Sequence, residues 1–491
     1  MSDKNPLLVA TAEDLKQALK PSPTKEAPAE RISTTRHEIV IDGETVSYSA
    51  TAGTLPVRLE DKKKPAGKLF YVSYVREDVD SSERPVAFCF NGGPGSSSVW
   101  LHMGCLGPMR VIADVDHRAA PSMVAVDNAF SLLDRCDLVF VDPMSTGHSR
   151  PDEGEGEDYH GVTPDLESVG DFIRRWTTRN NRWASPKLVV GESYGTTRAA
   201  ALARHLQDRY GMYVDGLVLV SLALQFQTLI FENNDLAYVL YVPAYAATAA
   251  WHGRVETDDV DALVADATRW AFDHYMPALL RGSTLSVADR RAVAAQLAAY
   301  LGVDVDYVLR CDLRVDLGRF CRELLRDRRL AVGRLDSRFT GPVADAQQDR
   351  LEADPSLSGL MGQYTSALHH HLRSRLAWDE EDVYEILNLK ANQAWKFREY
   401  NEYLDVTGDL RTAMLDNPHL DVLVASGMYD LATPVTASDY TIAHLGAGLE
   451  QRVVHHKYPA GHMMYAHEPS LERLRVDLCR FIGQLRDRRG T

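Results

Sequence analysis

The stretch from Ser185 to Tyr210 constrains the fold more than any other part of the chain. It opens with SPKLVV, whose apolar run is typical of a strand buried between other elements, and closes with TTRAAALARHLQDRY, which is typical of a helix. Only GESYG, residues 191–195, lies between them. Small residues on both sides of Ser193 permit a sharp turn directly from strand to helix. Such a turn requires a sheet whose strands are followed by covering helices.

The same alternation of strands and helices continues on both sides of this turn. Short apolar runs, RCDLVFVDP and VDGLVLVSLAL, indicate further buried strands, and Thr163 to Arg179 is a helical stretch. Nearer the N-terminus, period-two alternation around Asp42-Gly43 predicts an antiparallel hairpin. A final amphipathic helix is expected from Pro469 to Arg488. The pattern predicts an α/β protein with a mostly parallel central sheet.

Composition divides the 491 residues into four segments. Residues 1–34 are rich in Pro, Lys and Glu and are expected to form a mobile arm. Residues 35–224 and 376–491 carry the strand and helix pattern and are expected to build one core. Residues 225–375 are largely helical, without a clear buried strand, and are expected to form an insertion that acts as a lid.

Charge and hydropathy narrow the range of partners. A net charge of −15 repels phosphate backbones and anionic lipid, so we expect no nucleic-acid or membrane partner. The apolar run Leu7 to Ala12 is too short for a signal peptide, and the chain as given is expected to be cytoplasmic. The six cysteines lack ligand spacing and there is no HExxH, so neither a metal nor another cofactor is expected.

The turn at GESYG suggests a chemistry that needs two partners. A serine hydroxyl is a poor nucleophile unless a base takes its proton and a carboxylate orients that base. In proteins with this turn, the acid and then the base follow the serine along the chain. Asp430 directly follows the strand DVLVASG, and His462 follows the next strand. Histidines 369–371 and 455–456 lie inside a helical run and a strand, so Ser193, Asp430 and His462 are the expected catalytic triad.

A second candidate element is NGGPGSSS, residues 91–98, at the end of the strand VAFCF. Three glycines within five residues let the backbone turn tightly and expose its amides, as in glycine-rich oxyanion loops. The amide of Tyr194, at the start of the helix after Ser193, would point to the same oxyanion. An ordinary Gly/Pro turn is the alternative interpretation, but the polar residues beside a strand end favour a site.

Four motifs in order, NGGPGSSS, GESYG, SGMYDLATP and AGHMMY, resemble the serine carboxypeptidase family (peptidase family S10), and in particular its bacterial branch. The resemblance covers roughly residues 35–225 and 375–491, and the middle insertion matches only in position. It implies an α/β-hydrolase fold with a largely helical lid. It also implies an oxyanion hole made by the amides of Gly93 and Tyr194.

The resemblance further implies how a substrate carboxylate is held. The family binds the free C-terminal carboxylate of a peptide through residues that correspond here to Asn91, Gly92 and Glu192. A glutamate can donate to a carboxylate only when protonated, a state that burial favours. Ser96 stands where secreted members have a disulfide cysteine, so that bridge is absent. Family members are often dimers, and a homodimer is expected on that ground alone.

The sequence therefore leads to one principal hypothesis and two others. The first is a serine-type carboxypeptidase that releases C-terminal residues from peptides through an acyl-enzyme on Ser193. The second is an esterase or acyltransferase with the same triad, since related folds host many acyl chemistries. The third is a catalytically inactive binding protein, against which the complete triad argues.

Overall fold

The computed structural model describes residues 30–60, 67–77, 79–113, 122–349, 353–397, 402–446 and 448–489. The expected N-terminal arm, residues 1–34, lies outside these ranges up to residue 29, and the first strand begins at Ile32. Among the described helices, none is both long and apolar enough to cross a bilayer.

One large sheet of ten strands organises the chain. Its order is β1-β2-β3-β7-β4-β9-β10-β13-β14, with the short β8 paired to β3. The pairs from β1 to β7 are antiparallel, and every neighbouring pair from β7 to β14 is parallel. The sheet strands are β1 Ile32–Ile41, β2 Glu44–Val57, β3 Gly67–Arg76, β4 Val86–Phe90, β7 Asp137–Val141, β8 Arg150–Pro151, β9 Lys187–Glu192, β10 Gly216–Val220, β13 Asp421–Gly427 and β14 Val453–Tyr458. Two small hairpins pair β5 Met109–Arg110 with β6 Val126–Asp127, and β11 Leu330–Val332 with β12 Thr340–Pro342.

Helices follow most of the parallel strands. In chain order they are α1 Val99–Leu101, α2 Val162–Arg179, α3 Tyr194–Tyr210, α4 Leu236–Trp251, α5 Val260–Trp270, α6 Met276–Arg281, α7 Val287–Leu301, α8 Val305–Arg310, α9 Leu317–Glu323, α10 Pro355–Ser374, α11 Leu389–Gln393, α12 Thr407–Asp416, α13 Val435–Ala443 and α14 Glu468–Arg489. π-Helical turns follow α1 and α5, at His102–Leu106 and Ala271–Tyr275.

The parallel strands are buried on both faces, which is why they read as continuous apolar runs. Successive residues of a strand point to opposite faces, so Val189 packs into one apolar cluster and Val190 into the other. The helices α2 and α3 cover the first face, while α10 and α14 cover the second. A mostly parallel sheet covered by helices in this order is an α/β-hydrolase fold, as the sequence predicted.

The segment expected to form a lid contains a separate apolar cluster. It draws on residues from Val239 to Val332 and includes Leu431, the neighbour of Asp430. We call the segment from Val239 to Val332, which forms most of this cluster, the helical unit. The expectation that no buried strand occurs here was wrong, because Ala331 and Val332 of β11 are fully buried. Three residues are too few to display a period-two pattern.

A buried ion cluster holds the amino ends of the strands. Asp137, at the start of β7, is completely buried and accepts from Arg84 Nε at 2.7 Å and from Arg182 Nη1 at 2.5 Å. The amide of Arg76 donates to the same carboxylate at 3.0 Å. A buried charge is tolerated only when its partners satisfy it in this way. The cluster joins the amino end of β7 and the segments before β4 and β9 to the last residue of the antiparallel β3, at the edge opposite to the carboxyl ends of the parallel strands.

Candidate active site

Ser193 occupies the turn between β9 and α3, where its backbone is strained. Its φ of 61° and ψ of −129° are unusual for a residue with a side chain. The turn is held because Ser193 N donates to Val220 O at 2.9 Å. A Cβ on Gly195 would lie 2.8 Å from Phe90 O, so only glycine lets α3 approach the loop after β4 this closely. The strain presents the Ser193 side chain, which is partly exposed, at the carboxyl edge of the sheet.

Asp430 and His462 form a buried pair at the same edge. Their relative exposures are 0% and 3%, and His462 Nδ1 lies 2.7 Å from Asp430 Oδ2. Asp430 Oδ1 accepts from the amides of Ala432 at 2.7 Å and Thr433 at 3.0 Å, and the Thr433 hydroxyl donates to Oδ2 at 2.7 Å. These bonds fix the carboxylate, and the carboxylate in turn fixes the imidazole with Nδ1 protonated.

Ser193 and His462 are both bound to the carboxyl end of β10. Val220 O accepts from Ser193 N, and the next residue, Ser221, donates its hydroxyl to His462 O at 2.6 Å. Within the described part of the chain, the Ser193 hydroxyl makes no hydrogen bond. Hydrogen bonds of catalytic groups are often long before substrate binds and tighten in the complex. The arrangement therefore leaves Ser193 free to engage His462 when a substrate arrives.

The glycine loop lies directly against this turn. A Cβ on Gly92 would lie 2.6 Å from Gly195 N and 2.7 Å from Glu192 O, so no larger residue fits. Gly93 has a φ of +101°, a conformation that favours glycine. The amides of Gly93 and Tyr194 have no hydrogen-bond partner among the described residues. Two unpaired donors beside a nucleophilic serine are suited to stabilise an oxyanion.

Glu192 is an acid buried beside the nucleophile, with a relative exposure of 3%. Burial raises the pKa of Glu192 to about 7, while His462, the Tyr465 hydroxyl and Asn91 oppose this rise. Tyr465 donates to Glu192 Oε2 at 2.6 Å. Asn91 Oδ1 accepts from Leu101 N at 3.1 Å, and the buried Asn91 Nδ2 lies near enough to Glu192 to oppose the rise in its pKa, without reaching full hydrogen-bond geometry with any described residue. The site thus holds an unused donor next to a carboxyl that is readily protonated.

His462 experiences opposing influences on its protonation. Burial favours the neutral imidazole, but the charge and hydrogen bond of Asp430, together with Glu192, outweigh it and raise the pKa of His462. Protonation of Glu192 therefore removes an anion that faces His462 and makes the imidazole easier to deprotonate.

The other histidines weighed from the sequence have structural partners elsewhere. His371 Nε2 lies 2.7 Å from the Tyr74 hydroxyl in the apolar core. Nδ1 of His455, on β14, lies 3.0 Å from Oδ1 of Asp439, on α13. In the described residues, no group of three or more histidine, cysteine or acidic side chains is placed to hold a metal.

All of the predicted site residues lie at the carboxyl ends of β4, β9, β13 and β14. Sequence reasoning missed Thr433, Ser221 and Tyr465, which orient Asp430, His462 and Glu192 respectively. Thr433 and Tyr465 lie inside the motifs SGMYDLATP and AGHMMY, so their position three residues after the acid and base was the available signal. Ser221 carried no such signal.

The fold and the site define the class of the protein: it has the α/β-hydrolase fold and carries the side chains of a serine hydrolase at the carboxyl edge of its sheet. Residues 43–277 match the family model described as serine carboxypeptidase. Over these residues, just under half of the chain, the protein is similar to the serine carboxypeptidase family.

Named relatives share only part of the chain. Serine carboxypeptidase-like 8 of Arabidopsis thaliana is 26% identical over 168 residues, which is 33% of this chain and 37% of that protein. Serine carboxypeptidase-like 9 of the same plant is 26% identical over 171 residues, with the same coverage. The chain thus matches well under two thirds of these relatives' length.

Solved structures align over most of the chain, but with low scores. Proline iminopeptidase of Mycobacterium smegmatis has a TM-score of 0.37 at 15% identity and covers 88% of this chain and 98% of its own. A thermophilic esterase from Thermogutta terrifontis also has a TM-score of 0.37, at 11% identity, and covers 88% of this chain and 99% of its own.

Proposed function

We propose that the protein is a serine carboxypeptidase, which releases single residues from the C-termini of peptides. One observation carries the proposal: the unpaired Asn91 Nδ2 lies beside Glu192, whose pKa burial raises to about 7. An amide donor and a protonated carboxyl suit a substrate carboxylate, which accepts hydrogen bonds only. A neutral ester has no need of either group. The family match supports the same function.

The chemistry follows from the positions of the residues. Ser193 Oγ attacks the carbonyl carbon of the last peptide bond while His462 Nε2 takes the hydroxyl proton. The amides of Gly93 and Tyr194 stabilise the oxyanion of the tetrahedral intermediate. His462 then returns the proton to the leaving amine, the C–N bond breaks, and an acyl-enzyme remains on Ser193. Water, deprotonated by His462, hydrolyses this ester and restores the serine.

Binding and catalysis are linked through Glu192. A substrate carboxylate selects the protonated form of Glu192, because two carboxylates in contact repel. Loss of the negative charge on Glu192 also lowers the pKa of His462, whose raised value depends in part on that charge. The substrate carboxylate takes the place of that charge, so the anion near His462 is exchanged rather than removed.

The direct test compares a blocked dipeptide that has a free C-terminal carboxylate with the same dipeptide amidated. We expect the free acid to be cleaved and the amide to be cleaved at least tenfold less well in kcat/KM, since one lost charge-assisted hydrogen bond is worth about 1.5–3 kcal/mol. Equal turnover of both dipeptides, or turnover of simple esters only, would contradict this proposal and favour the esterase hypothesis.

Asn91→Ala is expected to raise KM for the free acid at least tenfold, because it removes a donor worth about 1.5–3 kcal/mol to a charged acceptor. The amidated dipeptide should be little affected. Asn180→Ala is the matched control, since the Asn180 amide bonds Trp176 O at the end of α2, away from the site. An equal effect of Asn91→Ala on both dipeptides would contradict the carboxylate role.

The pH dependence of KM supplies a separate prediction. Glu192 is protonated below its pKa of about 7 and charged above it. KM for the free acid should therefore rise about tenfold per pH unit above pH 7 and be flat below it. In Glu192→Gln, which donates at every pH, KM should be flat throughout. A wild-type KM that does not change between pH 5 and 9 would refute the role of Glu192.

A further inference from the structure

The loop of residues 334–339, which we call the brace loop, leaves the helical unit between β11 and β12 and contacts the segment that carries Asp430. Leu431 N donates to Arg334 O at 3.0 Å, and Ser337 N donates to Tyr429 O at 3.0 Å. The two bonds lie on either side of Asp430 in sequence. They hold the backbone on both sides of the acid.

The same loop also contacts the segment that carries His462. His462 N donates to Leu335 O at 2.6 Å, and Arg338 Nη1 donates to Pro459 O at 3.0 Å. A Cβ on Gly461 would lie 2.5 Å from Asp336 Cγ and 2.6 Å from Leu335 O, so the base segment is pressed against the brace loop without room for a side chain.

Arg338 fixes the shape of the brace loop. Its guanidinium binds both oxygens of Asp336, with Nε at 2.9 Å from Oδ1 and Nη2 at 2.6 Å from Oδ2. It also lies over the rings of Trp251, from α4, and Tyr429, at 5.7 and 5.5 Å. Arg338 is 8% exposed. Because Asp336 neutralises its charge, Arg338 is built to hold backbone in place rather than to bind a substrate.

We propose that the brace loop is a positioning element of the active site, in which Arg338 sets the distance between the segments that carry Asp430 and His462. The inference rests on the proposed catalytic roles of those two residues. It assigns to the helical unit a part in catalysis besides the lid role expected from its position in the sequence. The single loop reaches both segments, which come from different strands of the sheet, β13 and β14. A displacement of about 1 Å between catalytic groups can cost about a hundredfold in rate.

The test replaces Arg338 by methionine and measures kcat and KM with the dipeptide described above. Active sites are counted by fluorophosphonate labelling of Ser193, so that kcat refers to folded enzyme alone. We expect Arg338→Met to lower kcat about tenfold to hundredfold with KM unchanged. Arg338→Lys, which keeps the charge but loses the paired bonds, should recover part of the loss. Arg269→Met, which removes an exposed arginine of the same unit, should have no effect.

A pH profile separates positioning from general destabilisation. His462 is faced by Asp430 and Glu192, which raise its pKa, and by Arg334, which lowers it. If the Asp430–His462 contact loosens, the acid limb of kcat should move to lower pH in Arg338→Met. Trp251→Ala, at a side chain half exposed to solvent, should give a smaller shift in the same direction without risk to folding.

Two negative results can be told apart. Wild-type enzyme that fails to react with fluorophosphonate would remove the proposed function. Wild-type enzyme that reacts, with kcat and the acid limb unchanged in Arg338→Met and Trp251→Ala, would leave that function standing and overturn the brace loop alone.

Discussion

Replacing Ser193 by alanine is expected to lower kcat by about a millionfold, the loss typical of a removed catalytic serine. Ser193 is the residue that the strained turn presents at the sheet edge, and no attacking atom replaces its Oγ in the variant. Alanine keeps the Cβ and therefore the same backbone strain, so the fold should be retained. The residual rate should come from the oxyanion donors and from binding, which the substitution leaves in place.

This result is checked by single-turnover kinetics and by mass spectrometry of fluorophosphonate-treated protein. The wild-type label should lie on Ser193 and be absent from the variant. Ser82→Ala, at a partly exposed serine that donates to Asp80, is the matched control and should label fully. Peptide binding to the alanine variant, followed by calorimetry, should be close to wild type. A label that persists in the variant would assign the nucleophile to another residue.

Asp430→Asn is expected to lower kcat by about ten-thousandfold, although it changes few atoms. The amides of Ala432 and Thr433 both donate to Asp430 Oδ1, so the carbonyl oxygen of an asparagine must take that position. Its NH₂ group then occupies the position of Oδ2 and donates to His462 Nδ1. The imidazole must carry its proton on Nε2 instead, and a protonated Nε2 cannot accept the proton of Ser193.

Nitrogen NMR of the imidazole tests this cause directly. In wild-type protein at high pH the proton should reside on Nδ1 of His462, and in the asparagine variant on Nε2. Asp439→Asn serves as the control. Asp439 also bonds a histidine, His455, but that histidine lies within β14 rather than beyond the carboxyl end of a strand. A loss of less than tenfold in Asp430→Asn, or an unchanged tautomer, would show that Asp430 does not orient the base.

The parallel half of the fold could be predicted because each strand carries its own signal. A strand buried on both faces is apolar through its middle, and DLVFV, KLVVGE and GLVLV each carry such a run. Helix ends were also close: the final helix was expected at residues 469–488 and spans Glu468–Arg489. The buried strand β11 was missed because its burial depends on the packing of the helical unit, which three residues cannot encode.

The candidate site was predictable for a related reason. Residues that follow parallel strands meet at one edge, so motifs at strand ends were enough to bring Asn91, Glu192, Asp430 and His462 together. The brace loop gave no such signal. RLDSRF resembles an ordinary charged turn, and its contacts with Tyr429 and Pro459 join residues about a hundred positions apart. Contacts of that kind exist only once the helical unit has packed against the sheet.

The ion cluster around Asp137 has a consequence for how such an enzyme diversifies. Arg84, just before β4, and Arg182, just before β9, bind Asp137 at the amino end of β7, opposite to the edge where β4 and β9 carry site residues. Substitutions near the substrate therefore lie a full strand length away from the charges of this cluster. A change of substrate at one edge therefore does not require a change at the other. Laboratory evolution of specificity should accordingly recover few second-site changes at Arg84 or Arg182.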